Sequence, residues 1–116
     1  MKGLGTDIIE VGRIEEALEE FGAHFIEKHF TSKEILYCNS YNKPAERFAG
    51  RFAAKEAIVK ALGTGFAGIG FLDIEILNKP GGAPHATIKL PSYSHLNILI
   101  SISHCRSFAT ATALVI

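Results

Sequence analysis

The sequence predicts an α+β fold in which an antiparallel sheet packs against one long helix, with shorter helices beside it. Residues 44–62 are rich in alanine and begin with a proline, and the following Gly63 can end a helix in the left-handed conformation. Strand-forming residues or alternating apolar and polar side chains then occur in four segments, 72–77, 86–90, 97–103 and 108–115. The Pro/Gly cluster over residues 79–84 predicts a hairpin turn between the first two.

The first third of the chain predicts a strand and two short helices. Residues 4–11 combine β-branched and small residues, which is typical of a strand. Apolar residues recur at three-to-four spacing over residues 13–21, which indicates an amphipathic helix. The run from Thr31 to Glu34 resembles a capping box, so we expect a short helix that continues through Tyr37.

Length and composition favour one folded domain over residues 1–116. Hydrophobic residues make up 47% of the chain and charged residues 21%, which is ordinary for a folded globular protein. Twelve basic and twelve acidic side chains cancel, so no overall field attracts nucleic acid. We therefore expect no nucleic-acid partner, and any phosphate site must depend on a local cluster of residues.

The cysteines and the amino terminus favour a cytoplasmic protein. Cys38 and Cys105 are far apart and have neither metal-binding nor redox-type spacing, which favours a reducing compartment. The chain reaches Asp7 before any long apolar run develops, so we expect neither a signal peptide nor a membrane-spanning helix. No membrane partner is expected.

The predicted long helix carries two rows of charged residues. Glu56 and Lys60 are four residues apart, so their side chains can reach the same ligand. An isolated pair of this kind is more often a helix-stabilising ion pair. Arg47, Arg51 and Lys55 form a second basic row, which can bind phosphates but is more typical of a solvated surface.

Asp7 is unusual because aspartate is a poor strand former, yet it lies within a predicted strand. A turn or bulge would expose its charge harmlessly, and this is the common outcome for a lone aspartate. If Asp7 instead lies close to Glu56, their carboxylates, together with waters and a diphosphate, suit the octahedral shell of Mg²⁺.

The segment 101–107 ends a predicted strand with hydroxyl groups, an imidazole and a guanidinium, a combination suited to phosphate oxygens. Nucleophilic catalysis by Ser103 or Cys105 with His104 as the base is disfavoured, because adjacent residues of a strand point to opposite faces. A lone histidine such as His104 is also more often a hydrogen-bonded structural group.

Three motifs resemble the holo-acyl-carrier-protein synthase family, the short type of 4′-phosphopantetheinyl transferase. They are GTDIIEV at residues 5–11, FAGRFAAKEA at 48–57 continued by KALGTG at 60–65, and SISH at 101–104. The resemblance covers essentially the whole chain. It implies Mg²⁺-dependent transfer of phosphopantetheine from coenzyme A to a serine of apo acyl carrier protein, releasing adenosine 3′,5′-bisphosphate in support of fatty acid biosynthesis. It also implies a homotrimer that binds coenzyme A between adjacent subunits.

The resemblance assigns roles to individual residues. Asp7 and Glu56 match the metal ligands, and together with Lys60 they form the catalytic set. Lys60 matches a lysine near the α-phosphate that assists departure of the bisphosphate. His104 matches a residue near the 3′-phosphate, supplied by the neighbouring subunit. Further contacts with coenzyme A are expected from Arg51, Gly63, Thr64, Gly65 and Ser103.

Two details of the chemistry stay open at this stage. The proton of the attacking serine can pass to Glu56 or to a metal-bound water beside Asp7. In longer relatives a third acidic residue follows two positions after the aspartate, and here that position is Ile9, so we expect a water in its place.

The predicted first helix is the expected docking site for the carrier protein. Arg13 matches a carrier-contacting position of the family, and Leu18 and Phe21 are available for apolar contacts. The helix is nevertheless acidic, and Arg47 and Arg51 are candidates to compensate for that charge. Its acidic residues are Glu15, Glu16, Glu19 and Glu20.

Two other functions use the same residues. A non-catalytic module would bind coenzyme A or a carrier protein without turnover. A metal-dependent hydrolase of nucleotide diphosphates would use carboxylate-bound Mg²⁺ and a lysine with water as the nucleophile.

Overall fold

The structure is a computed structural model that describes residues 2–116. Its first half contains one strand and four helices: β1 (Gly3–Glu10), α1 (Val11–Phe21), α2 (Ala23–His29), α3 (Ser32–Asn39) and α4 (Pro44–Leu62). Its second half contains four strands: β2 (Ile74–Asn78), β3 (Pro84–Ile88), β4 (Ile98–His104) and β5 (Phe108–Val115). No helix within residues 2–116 combines the length and the apolar character needed to cross a lipid bilayer.

The strongest local patterns are confirmed. α4 has its predicted bounds, and Gly63 ends it at φ 78° in the left-handed region. The capping box is present, because the Thr31 and Glu34 side chains each bond to the other's backbone N–H. α1 begins at Val11, two residues earlier than predicted. β2 begins later than predicted because a 3₁₀ turn occupies Phe71–Asp73.

α2 was absent from the sequence-based prediction. It has seven residues, and none of them is fully buried. A helix this short is marginal by itself, so its formation depends on packing. Phe25 and Ile26 supply that packing by contacting the buried cluster beneath α1.

The strands form two antiparallel sheets where the sequence analysis expected one. One sheet has the order β1-β5-β4, and the other is the β2-β3 hairpin. Asp7 of β1 pairs with Ala111 of β5, and Ile102 of β4 pairs with Ala111 from the other side. α4 packs across the larger sheet, so the predicted arrangement of an antiparallel sheet on one long helix is confirmed.

Glycines allow β1 to lie directly against α4. A Cβ atom added to Gly5 would be 2.0 Å from the carbonyl oxygen of Ala57, and one added to Gly3 would be 2.0 Å from that of Ala61. Any larger residue would therefore require β1 to move away from the helix. Asp7, two residues after Gly5, has its side chain on this same face of the strand.

The core lies around α4 and is divided into two clusters. The larger cluster joins the helix to both sheets and is built mainly from small and β-branched residues, including Ala57, Ile58, Ile76 and Ala113. The smaller cluster joins α4 to α1, α2 and α3 and contains Phe30 and Phe48. α4 therefore fixes the relative positions of nearly every element.

A buried ion pair connects α4 to the shorter helices and to the hairpin. The ammonium of Lys55 donates to Glu34 Oε1 at 2.7 Å and to the carbonyl oxygens of His29 at 2.8 Å and Phe71 at 3.0 Å. The second carboxylate oxygen of Glu34 accepts from the backbone N–H of Ile76 at 2.8 Å. Burial lowers the pKa of Lys55, and the charge of Glu34 opposes this shift. The predicted solvated basic row is wrong at this position, because both charged side chains are fully buried.

We predict that Gly5→Ala destabilises the protein by about 1–3 kcal/mol or more, because the new methyl group overlaps the backbone of α4. Gly12→Ala in α1 is the matched control, because a Cβ atom there meets nothing within 4 Å. This control should stabilise the helix by up to about 1 kcal/mol. Urea unfolding measures both effects, and equal stability of the two variants would contradict the close packing of β1 against α4.

Candidate active site

Two residues of the predicted catalytic set are in direct contact where β1 crosses α4. The ammonium of Lys60 is 3.1 Å from Asp7 Oδ1 and donates to the carbonyl oxygen of Thr6 at 3.0 Å. Asp7 is largely buried, with 17% of its side chain exposed, whereas 54% of the Lys60 side chain is exposed. The lysine therefore faces solvent while its charge is fixed beside the strand.

Glu56 lies one helical turn before Lys60 and is half-buried. Burial raises the pKa of Glu56, the negative charge of Asp7 raises it further, and the positive charge of Lys60 lowers it. The two carboxylates are thus close enough to interact electrostatically. Glu56 makes neither a salt bridge nor a side-chain hydrogen bond with another residue of the described chain. Its oxygens remain available to a ligand.

These side chains fit a Mg²⁺ ion that is held partly by its substrate. Mg²⁺ retains several waters and is commonly bound through one or two carboxylates together with substrate phosphates. Asp7 and Glu56 supply two such carboxylates, and their mutual repulsion would be relieved by a cation. Nowhere in residues 2–116 do three or more His, Cys, Asp or Glu side chains come close enough to hold a metal ion. Ile9, two positions after Asp7, packs against the apolar core and therefore offers the ion no further carboxylate.

Arg51 belongs to a separate cavity of about 200 Å³. Only 4% of the Arg51 residue is exposed, and its guanidinium lies 4.1 Å above the Tyr37 ring and donates to Asn78 Oδ1. Its Nε–H is buried and has no partner within the described chain. An unpaired buried donor is costly, so this group favours a ligand that can accept a hydrogen bond.

His104 lines the same cavity. Its Nδ1 is 3.4 Å from Glu46 Oε1. Arg47 also lines the cavity, with its guanidinium 3.8 Å above the Tyr41 ring. With two guanidinium groups and one imidazole against one carboxylate, the cavity is suited to an anion.

The structure does not bring all the predicted residues together in one chain. Arg51 and Glu56 are five positions apart on α4, which separates them by about 140° around the helix axis. Asp7, Glu56 and Lys60 lie by β1, at one edge of the three-stranded sheet, whereas His104 ends β4 at the opposite edge. One chain therefore presents a carboxylate–lysine cluster and an arginine–histidine cavity on different sides.

Ser103 and the turn after α4 are exposed. Ser103 and His104 are neighbours in β4 and point to opposite faces, in agreement with the sequence-based argument against a serine–histidine pair. The N–H of Gly63 caps α4 by donating to the carbonyl oxygens of Val59 and Lys60. Thr64 Oγ1 donates to the Gly65 carbonyl at 2.8 Å. The turn begins three positions after Lys60, which belongs to the carboxylate–lysine cluster.

The expected docking residues of α1 have different environments. Arg13 is exposed and pairs with Glu10 at 3.6 Å, and Phe21 is 54% exposed. Leu18 packs partly into the smaller core cluster. The suggestion that Arg51 offsets the acidity of this helix is wrong, because Arg51 is buried in its own cavity.

Sequence reasoning missed the partners that hold the cavity together. Tyr37 and Asn78 contact Arg51, and Glu46 contacts His104, at separations from 14 to 58 positions along the chain. The only local signal was the pair of tyrosines at positions 37 and 41, four residues apart before the basic row. Periodicity in one segment does not reveal such long-range contacts.

The family model of the 4′-phosphopantetheinyl transferase superfamily matches residues 3–113. The chain belongs to this superfamily. It is 50% identical over 116 residues to the holo-[acyl-carrier-protein] synthase of Protochlamydia amoebophila, an alignment that covers 96% of this chain and 94% of the relative. The resemblance inferred from the three motifs is therefore confirmed, and the chain is an enzyme of the phosphopantetheinyl transferase class.

Solved structures of the superfamily share the fold of this transferase. The holo-[acyl-carrier-protein] synthase of Helicobacter pylori in complex with coenzyme A is similar with a TM-score of 0.88 and 35% identity, covering 97% of this chain and 99% of that one. The Bacillus anthracis enzyme in complex with CoA (3′,5′-ADP) gives a TM-score of 0.86 and 38% identity, covering 98% and 95%.

We predict that the pKa of Glu56 in the metal-free transferase lies above that of an ordinary glutamate. Asp7→Asn should lower this pKa because it removes a nearby negative charge, and Lys60→Met should raise it because it removes a positive one. NMR titration of the labelled Glu56 carboxyl carbon measures both shifts. If neither substitution changed the pKa of Glu56, the three side chains would not form one cluster.

Proposed function

We propose that this chain transfers the 4′-phosphopantetheine arm of coenzyme A to a serine hydroxyl of an acyl carrier protein, in support of fatty acid biosynthesis. The relative from Protochlamydia amoebophila is named for this product, and the Helicobacter pylori structure contains coenzyme A. The observation that carries the proposal is the cluster of Asp7, Glu56 and Lys60 in a chain of this superfamily.

Asp7 and Glu56 would hold Mg²⁺ through one carboxylate each. The ion would neutralise charge on the diphosphate of coenzyme A and help to orient it. Phosphoryl transfer depends on such neutralisation and on in-line positioning more than on a protein nucleophile. This requirement fits a cluster that offers carboxylates and an ammonium but no activated serine or cysteine.

In the proposed reaction, the serine oxygen of the carrier forms a bond to the phosphorus that bears the pantetheine arm. The bond from that phosphorus to the departing oxygen breaks, and adenosine 3′,5′-bisphosphate leaves. Lys60, with its exposed ammonium, stabilises the charge that develops on the leaving phosphate.

Glu56 is the protein group best suited to accept the serine proton. Asp7 Oδ1 is already paired with Lys60, whereas Glu56 has no such partner within residues 2–116. The proton is then released to solvent, which restores the carboxylate for the next turnover.

The nucleotide end of coenzyme A would bind in the Arg51–His104 cavity of a neighbouring subunit. The unpaired Nε–H of Arg51 and the imidazole of His104 can both donate to phosphate oxygens. Gly63, Thr64 and Gly65 would contact the same ligand beside Lys60, and the exposed Ser103 would contribute from the end of β4. A site shared between subunits accounts for the separation of the two clusters within one chain.

The free face of the three-stranded sheet supports the proposed homotrimer. Apolar side chains lie on this face in register, since Leu4 of β1 and Leu99 of β4 flank Leu114 of β5. Leu4 is 56% exposed, Ile8 63% and Leu99 52%. An apolar sheet face of this kind is normally covered, and packing between subunits would cover it.

The carrier protein would approach α1, where Arg13 lies exposed near the start of the helix and Phe21 near its end.

We place the reaction in the cytoplasm, because Cys38 and Cys105 are both unpaired, as is usual in a reducing compartment.

We predict that the protein, incubated with coenzyme A, Mg²⁺ and apo acyl carrier protein, adds the mass of one phosphopantetheine to the carrier. Glu56→Gln should reduce turnover about 10²- to 10⁴-fold, because it removes the proton acceptor, while the dissociation constant for coenzyme A changes far less. Mass spectrometry and calorimetry give the two readouts. Glu27→Gln, at an exposed position of α2, is the control and should behave like wild type.

Two outcomes would oppose this proposal. Absence of any mass gain across several carrier proteins would falsify the transfer. Release of the bisphosphate from coenzyme A at a comparable rate without a carrier would instead favour the hydrolase.

A second prediction concerns the shared site. Glu56→Gln and His104→Ala subunits, each weakly active alone, should regain activity when they are refolded together in equal amounts. In a cyclic trimer, random mixing restores about a quarter of the wild-type sites, because each mixed trimer contains one intact pair. A mixture no more active than its two components would show that each chain carries its own complete site.

A further inference from the structure

The segment that follows α4 is rich in glycine and weakly bonded. Residues 63–70 read GTGFAGIG, and the glycines at positions 63, 65 and 68 all have φ between 57° and 78°. Between residues 64 and 68 the described backbone makes one internal backbone–backbone hydrogen bond, 3.4 Å from the Ala67 N–H to the Thr64 carbonyl. Ordering such a segment is entropically costly. Side-chain contacts must therefore hold it in place.

Phe66 makes a contact of this kind in the middle of the segment. Its ring stacks on Phe71 with centroids 4.3 Å apart and an interplanar angle of 21°. Phe71 stacks in turn on Phe52 of α4, with centroids 5.1 Å apart and an angle of 28°. Ile69 anchors the carboxyl end of the segment in the larger core cluster, whereas Phe66, 36% exposed, holds its middle through this ring contact.

The base of this aromatic stack is fixed. The Phe71 carbonyl accepts a hydrogen bond from the buried ammonium of Lys55, and its ring makes a T-shaped contact with His29, with ring centroids 4.7 Å apart. Phe52 lies one helical turn before Glu56. The stack therefore connects the glycine-rich segment to the part of α4 that carries the catalytic cluster.

We infer that Phe66 is a positioning residue for coenzyme A, an inference that rests on the function proposed above. By stacking on Phe71, it holds Gly63, Thr64 and Gly65 beside Lys60 before the ligand arrives. Binding then does not have to order the segment, and preorganisation of this kind increases affinity by reducing the entropy lost on association. Phe66 acts through the segment and does not itself have to touch the reacting atoms.

The test compares Phe66→Ala with Phe66→Tyr, which keeps an aromatic ring. Phe66→Ala should weaken coenzyme A binding about 3- to 10-fold, the range expected for the loss of one aromatic pair. It should leave kcat at saturating coenzyme A within about twofold, since the interaction is made equally before and during reaction. Phe66→Tyr should match wild type in both. Calorimetry with Mg²⁺ and coenzyme A gives the dissociation constant, and the NMR order parameters of residues 64–68 should fall in Phe66→Ala alone.

Three results would overturn the inference. Coenzyme A binding by Phe66→Ala that is as tight as in wild type, although its segment is more mobile, would show that order in the segment is irrelevant to binding. A change confined to the KM for the carrier protein would assign Phe66 to docking instead. Equal losses in Phe66→Tyr and Phe66→Ala would exclude the aromatic stack as the cause. Wild-type protein that binds coenzyme A without transferring the arm would contradict the proposed function but not this comparison of affinities.

Discussion

The contact between β1 and the backbone of α4 determines both the fold and the candidate site. Gly3 and Gly5 have no side chains to separate strand from helix, and a Cβ atom at either would lie 2.0 Å from a helix carbonyl. This close packing places Asp7 within reach of Lys60 and of the charge of Glu56. Two motifs about fifty positions apart in the sequence therefore form one cluster because Gly3 and Gly5 have no side chains.

The contact between β1 and α4 also brings together more negative than positive charge. The two carboxylates of the site face one ammonium, and the folded protein holds the Glu56 proton more tightly than the unfolded chain does. The contribution of Glu56 to the free energy of unfolding therefore falls as pH rises from the pKa that Glu56 has in the unfolded chain to the higher pKa that it has in the folded protein. The buried Lys55–Glu34 pair is different, because every donor of Lys55 has an acceptor. The Lys55–Glu34 pair is satisfied within the protein, whereas the cluster of Asp7, Glu56 and Lys60 is left open to a ligand.

Features encoded by neighbouring residues could be predicted from the sequence. Helix α4 and its glycine stop follow from local propensity, and the capping box at Thr31 follows from spacing. The burial of Lys55 and Arg51 could not be predicted, because their partners Glu34 and Asn78 lie 21 and 27 positions away. Helix α2 was missed because packing rather than periodicity stabilises it. The cluster of Asp7, Glu56 and Lys60 was expected only through the family resemblance, since each residue alone has a commoner structural explanation.

We propose that Asp7 and Glu56 together hold one divalent ion. Crystals grown with Mn²⁺ and coenzyme A test this most directly, because anomalous scattering locates the manganese independently of the protein atoms. We expect one peak bonded to a carboxylate oxygen of each residue, at about 2.0–2.3 Å as for other hard cations with oxygen ligands. Bound coenzyme A with the peak elsewhere, or bonded to neither carboxylate, would contradict it.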